Sequence, residues 1–160
     1  MTSKLSADGV WRPRVTVATV VADGERFLMV EEDVHGEPRL NQPAGHLEAG
    51  EDLVDAAVRE TLEETGWEVV PEHFVGVMPW INPRAGDTTL RFVFAARALQ
   101  HHPERPLDDG IARALWLTRA EIAAAAVRLR TPLVLKSVDA WLAGQRLPLD
   151  AIARLRDAVE

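Results

Sequence analysis

Two early runs, RVTVATVVA (14–22) and RFLMVEE (26–32), are dominated by β-branched and other apolar residues, and Asp23-Gly24-Glu25 between them is a hairpin signal. PEHFVGVMPWI (71–81) and TTLRFVFAARAL (88–99) read as two further strands, joined by the turn residues Asn82 to Asp87. ARALWL (112–117) predicts a short strand leading into a helix over TRAEIAAAA (118–126), where Thr118 and Glu121 have capping-box spacing. PLVLKSVDAWLAG (132–144) predicts a helix closed by Gly144, and LDAIARLRDAVE (149–160) a last one. Between the second and third strands the period changes to helical: Asp52 can cap a helix, with Asp55 three residues on, and Gly66 stops it. Helices before, between and after strands imply an α/β fold, a sandwich around a mixed sheet.

Composition narrows the class. At 160 residues, 47% hydrophobic and with five tryptophans, the chain predicts one folded domain over 1–160. The opening MTSKLSADG has no apolar run and no segment reaches membrane-span length, so neither a signal peptide nor a membrane partner is expected. Cysteine is absent, which excludes a disulfide framework and thiolate zinc sites; the expected location is cytoplasmic. A net charge of −7 argues against generic nucleic-acid binding and means that an anionic ligand needs a metal ion or local arginines.

The helix at 52–66 carries the chemistry. Val54, Val58, Thr61, Leu62 and Thr65 form a stripe expected to pack on the domain, while Glu60, Glu63 and Glu64 share another arc with Leu53, Ala56 and Ala57. Like charges one turn apart cost a few tenths of a kcal/mol per pair on a free helix. A solvated acidic face is the bland reading. The alternative is a metal cradle, since the preceding loop PAGHLEAGE can turn sharply and present carbonyl oxygens, and such hard oxygen ligands suit Mg²⁺ or Mn²⁺. Glu51 falls on the helical face of Arg59, eight residues on, where an ion pair can brace loop against helix.

Gly45, Glu51, Arg59-Glu60, Glu63-Glu64 and Gly66, closed by Trp67, resemble the Nudix box of the Nudix hydrolases, with Thr61 where an aliphatic residue is usual. RVTVA, FLMVEE, NQPAGHLEAGE, LRFVF and LRTPLV, in this order, resemble the NudJ-type branch of that family over about residues 12–143, leaving 145–160 as a C-terminal extension. The resemblance implies an α/β/α sandwich and Mg²⁺- or Mn²⁺-dependent hydrolysis of nucleoside di- and triphosphates and thiamine-related pyrophosphates. An oxidised-nucleotide or dinucleoside polyphosphate pyrophosphohydrolase is the alternative. A ligand-sensing module without activity fits less well, because the box carboxylates are all present. The partner is then a small phosphorylated substrate, acted on by a monomer or homodimer.

The resemblance also implies roles. Glu60, Glu63 and Glu64, with the carbonyl of Ala44, would hold the metal, and Glu60 or an acid outside the helix would take the proton from water. At the outside acid's usual place stands Gly110, preceded by Asp108 and Asp109, which makes those two candidate bases or a plain turn. Gln42 and His46 flank the metal loop as candidate substrate contacts. Trp80 is placed to stack a ring or fill the core, and Arg91 and Arg130 to meet phosphate or solvent. His101-His102 read as solvated.

Overall fold

The alternation of apolar side chains in the strands produces a sheet covered on both faces. In the computed structural model, which describes residues 8–152, β1 (Arg14–Asp23) and β2 (Arg26–Val34) turn through Gly24 and pair only at Ala22 with Phe27 and Asp23 with Arg26. β2 also pairs antiparallel with β3 (Glu37–Asn41) and with β7 (Ile111–Thr118). β1 pairs in parallel with β6 (Thr88–His101), which pairs antiparallel with β5 (Trp67–Ile81). β4 (Ala44–His46) adds to β1 opposite Thr16, Val17 and Ala18. The seven strands are thus one mixed sheet whose two leaves are joined at the β1–β2 hairpin.

Neighbouring residues in a strand feed opposite layers. Val17, Phe74 and Phe94 pack with Ala56 and Ala57 of α1 (Leu53–Thr65). Ala18, Val75 and Val93 pack instead with Val134 and Val138 of α3 (Leu133–Leu142). Burying a residue such as Phe94 stabilises by about 1.5–3 kcal/mol, so the two layers together hold the helices against the sheet. This is the expected α/β/α layering of a mixed sheet. No helix among the described residues is long and apolar enough to cross a membrane.

The turn and cap chemistry follows the sequence closely. Asp52 accepts a 2.9 Å hydrogen bond from the Val54 amide, and Gly66 ends α1 at φ 70°, with its amide donating to Leu62. Thr118 and Glu121 form the reciprocal capping box of α2 (Arg119–Ala124). That helix is shorter than expected and gives way to a 3₁₀ turn, Ala126–Arg128. Of the expected last helix, the described part is a 3₁₀ turn at Leu149–Ala151; residues 153–160 lie outside the described residues.

Three expectations are corrected. β3 and β4 went unpredicted, because β4 is only three residues long and lies in a segment whose glycines and proline read as loop. The buried face of α1 comprises Ala56, Ala57, Glu60, Thr61, Glu64 and Thr65, whereas Val54, Val58 and Leu62 are only half-buried. The helix therefore turns two of its carboxylates inward, while Thr61 and Thr65 of the expected stripe are buried, Thr61 Oγ1 meeting Thr19 Oγ1 of β1 at 2.8 Å. Finally, His101 stacks on Trp67 with ring centroids 4.7 Å apart and His102 contacts Glu68 at 2.8 Å, so this pair is not simply solvated.

Candidate active site

Where the two leaves part, a cleft of about 480 Å³ opens beside α1. Glu60 and Glu64 reach it from the helix, and Ala44, Gly45 and His46 from β4. The absence of a side chain on Gly45 is what admits Glu60. A Cβ there would lie 2.0 Å from both Cδ and Oε2 of that carboxyl group. Glu64 Oε2 accepts a 2.9 Å hydrogen bond from the Ala44 amide, tying β4 to the helix.

Arg59 gathers the remaining carboxylates. Its Nε and Nη2 donate to the two oxygens of Glu51 at 2.7 and 2.9 Å, and Nη2 also reaches the carbonyl of His46 at 3.2 Å. Its Nη1 donates to Glu60 Oε1 at 2.8 Å and Glu63 Oε2 at 3.0 Å. The expected Glu51–Arg59 pair thus extends to Glu60 and Glu63 of the helix. Hydrogen bonding to Glu51 raises the Arg59 pKa further above its ordinary value, and the same bond lowers that of Glu51.

Asp108 completes the group from outside the helix. Its amide donates to the Glu63 carbonyl at 3.0 Å, which docks the loop before β7 on the end of α1. One carboxylate oxygen each from Glu60, Glu63 and Asp108 then lies within 4.8 Å of the others. Asp109 is exposed and is not in this group. The donors are all hard carboxylate oxygens, a set that fits Mg²⁺ or Mn²⁺ and not a thiophilic metal. Burial raises the pKa of Glu60, and pushes that of Glu64 up to about 8 against the opposing pull of the Ala44 amide.

The other candidates divide. His46, Trp80, Arg91 and Arg130 all line the cleft. Arg91 is 5% exposed, and burial lowers its pKa to about 10. Gln42 is corrected as a substrate contact: it is 1% exposed, does not line the cleft, and donates to the Thr19 carbonyl at 3.3 Å. Thr16, Glu32 and Asn41 also line the cleft and were missed. They lie on strands distant in sequence, so no local pattern brings them together.

Comparison with known proteins identifies the family. The NUDIX domain family matches residues 12–138. Phosphatase NudJ of Escherichia coli K12 is 46% identical over 145 residues, covering 89% of this chain and 92% of that protein. A NUDIX hydrolase from Nitrosomonas europaea superposes with a TM-score of 0.89 at 42% identity, covering 92% of this chain and all of the other. A bifunctional NMN adenylyltransferase/ADP ribose pyrophosphatase from Francisella tularensis, solved with AMP and a Mn ion, shares the fold at TM-score 0.67 and 21% identity, over 83% of this chain and 42% of its own. With the family match spanning most of its length, the chain belongs to the Nudix hydrolases, enzymes that generally use divalent metals.

Proposed function

We propose that this Nudix hydrolase cleaves phosphoanhydride bonds in nucleoside di- and triphosphates and in pyrimidine-type pyrophosphates such as those related to thiamine, with Mg²⁺ or Mn²⁺. The observation that carries the reading is the convergence of Glu60, Glu63 and Asp108 within 4.8 Å, on the flank of a cleft that also presents the buried guanidinium of Arg91. Glu60, Glu63 and Glu64 with the Ala44 carbonyl, joined by Asp108 from the loop, would hold the ion. When bound, the ion neutralises phosphate oxygens and lowers the pKa of water.

The chain's own groups do the rest. Arg130, at the exposed side of the cleft, attracts the diphosphate into a protein of net charge −7, and Trp80 lines the same cleft. The oxygen of a water molecule forms a bond to phosphorus, the bridging P–O bond breaks, and the water's proton passes to a carboxylate. Glu60 is assigned that role because it alone belongs both to the three-carboxylate group and to the cleft wall.

Asp108→Asn is therefore expected to weaken ion affinity while retaining most activity at saturating Mg²⁺, and Asp109→Asn to change little. A loss above the roughly 10²-fold typical of acid–base catalysis in either, with ion affinity unchanged, would give the proton to the loop instead. Arg59→Ala is expected to weaken ion affinity by about 10- to 100-fold, as loss of a partner behind the ligands generally does. Titration of all three variants with Mn²⁺ checks these values, and normal affinity in Arg59→Ala would make the brace dispensable.

The reading itself is tested with a panel of nucleotides and thiamine-related pyrophosphates, assaying orthophosphate and pyrophosphate separately. Broad turnover of mononucleotides and pyrimidine pyrophosphates, with orthophosphate among the products, is expected. A strong preference for a dinucleoside polyphosphate or ADP-ribose over every mononucleotide would overturn it.

A further inference from the structure

The cleft floor holds polar atoms with no partner. Thr16 Oγ1, Glu32 Oε1, Asn41 Oδ1, and Nε and Nη1 of Arg91 are all buried without a hydrogen bond. Thr16 and Arg91 are adjacent on β1 and β6, in register on one sheet face, and Glu32 and Asn41 come from β2 and β3 of the other leaf. The nearest cation to Glu32, Arg130 Nε, is 3.5 Å from Oε1, an ion pair too long to be a good hydrogen bond. Buried polar atoms are nearly always paired, so a floor with five left over is built for a ligand.

The chemistry of the unpaired atoms selects among ligands. Arg91 offers donors, but Glu32 and Asn41 offer acceptors, and the hydroxyl of Thr16 can serve either way. An ionised phosphate has no proton to give and is repelled by Glu32. The set calls for a ligand edge carrying an N–H donor beside an acceptor. We propose that Thr16, Glu32, Asn41 and Arg91 form a specificity subsite for an amino-substituted nitrogen heterocycle, an amino group facing Glu32 and Asn41 and a ring nitrogen or carbonyl facing Arg91. The proposal rests on the phosphoanhydrolase reading for the placement of the phosphates, against the α1 carboxylates of the same cleft. Trp80, two residues from the Arg91 row across β5 and β6, supplies an aromatic wall to the same cleft.

The test compares CMP with UMP: cytosine carries an amino group beside a bare ring nitrogen where uracil carries a carbonyl beside a ring N–H, so both the acceptor and the donor sides of the subsite distinguish them. Binding is measured by titration calorimetry with Mg²⁺ present on the wild type, Glu32→Gln and Asn41→Leu, after confirming that each variant melts cooperatively. CMP is expected to bind wild type about tenfold or more tightly than UMP, the scale of a hydrogen bond to a charged group. Either variant is expected to close most of that gap, Glu32→Gln by turning an amide donor toward the UMP carbonyl. Equal affinities in wild type, a gap that survives in both variants, or inorganic phosphate binding as tightly as CMP would each overturn the subsite. Hydrolysis of CTP with Mg²⁺, assayed alongside, judges the catalytic reading separately: its absence would defeat that reading while the binding comparison still decides this one.

Discussion

Glu64→Gln is expected to lower turnover by about 10²–10³-fold, the equivalent of several kcal/mol of lost charge stabilisation, and yet to leave the ion-free protein at least as stable. Glutamine keeps the shape and can still accept the Ala44 amide that now bonds Oε2 at 2.9 Å. It removes a buried carboxylate whose pKa burial pushes from 4.5 up to about 8. Because the folded-state value is the higher one, the charged form disfavours folding increasingly as pH rises from about 4.5 to about 8, and at neutral pH the amide relieves that cost. Thermal melting in chelator at pH 7.5 checks the stability half, and turnover at saturating Mg²⁺ the catalytic half. A variant that melts much earlier would mean that Glu64 holds the fold rather than an ion.

Gly45→Ala should be nearly as damaging, for a steric reason. The new methyl group would sit 2.0 Å from the Glu60 carboxyl carbon. The atoms it meets are the far end of one side chain, so the carboxylate is expected to swing away while β4 keeps its pairing with β1. Overpacking of this kind typically costs about 1–3 kcal/mol, which the fold survives. The displaced carboxylate is both a cluster member and the assigned proton acceptor, so activity is expected to fall by about 10²-fold or more. Kinetics combined with a melting curve distinguish this from unfolding. Near-normal turnover would show that Glu60 has room the structure does not give it.

The contrast between these two sites shows what a sequence carries. Glu60, Glu63 and Glu64 were legible because helical spacing alone puts them together, and the caps at Asp52 and Gly66 fixed the helix that does so. The inward turn of that helix was not legible. Glu60 and Glu64 are buried because Gly45 and the Ala44 amide receive them, and those contacts come from a three-residue strand that local pattern cannot announce. Asp108 was legible as a polar turn residue, but its place at the carboxylates depends on one backbone hydrogen bond to Glu63. Thr16, Glu32, Asn41 and Arg91 converge only because the leaves part beyond the β1–β2 hairpin, a property of sheet topology rather than of any one segment.

The most direct test of the account follows phosphate release from CTP and CDP by the wild-type protein in excess chelator, and then on adding back Mg²⁺ or Mn²⁺. The account predicts no turnover above background in chelator and full recovery with either ion. Undiminished hydrolysis in excess chelator would contradict it, because the gathered carboxylates of α1 would then have no ion to serve.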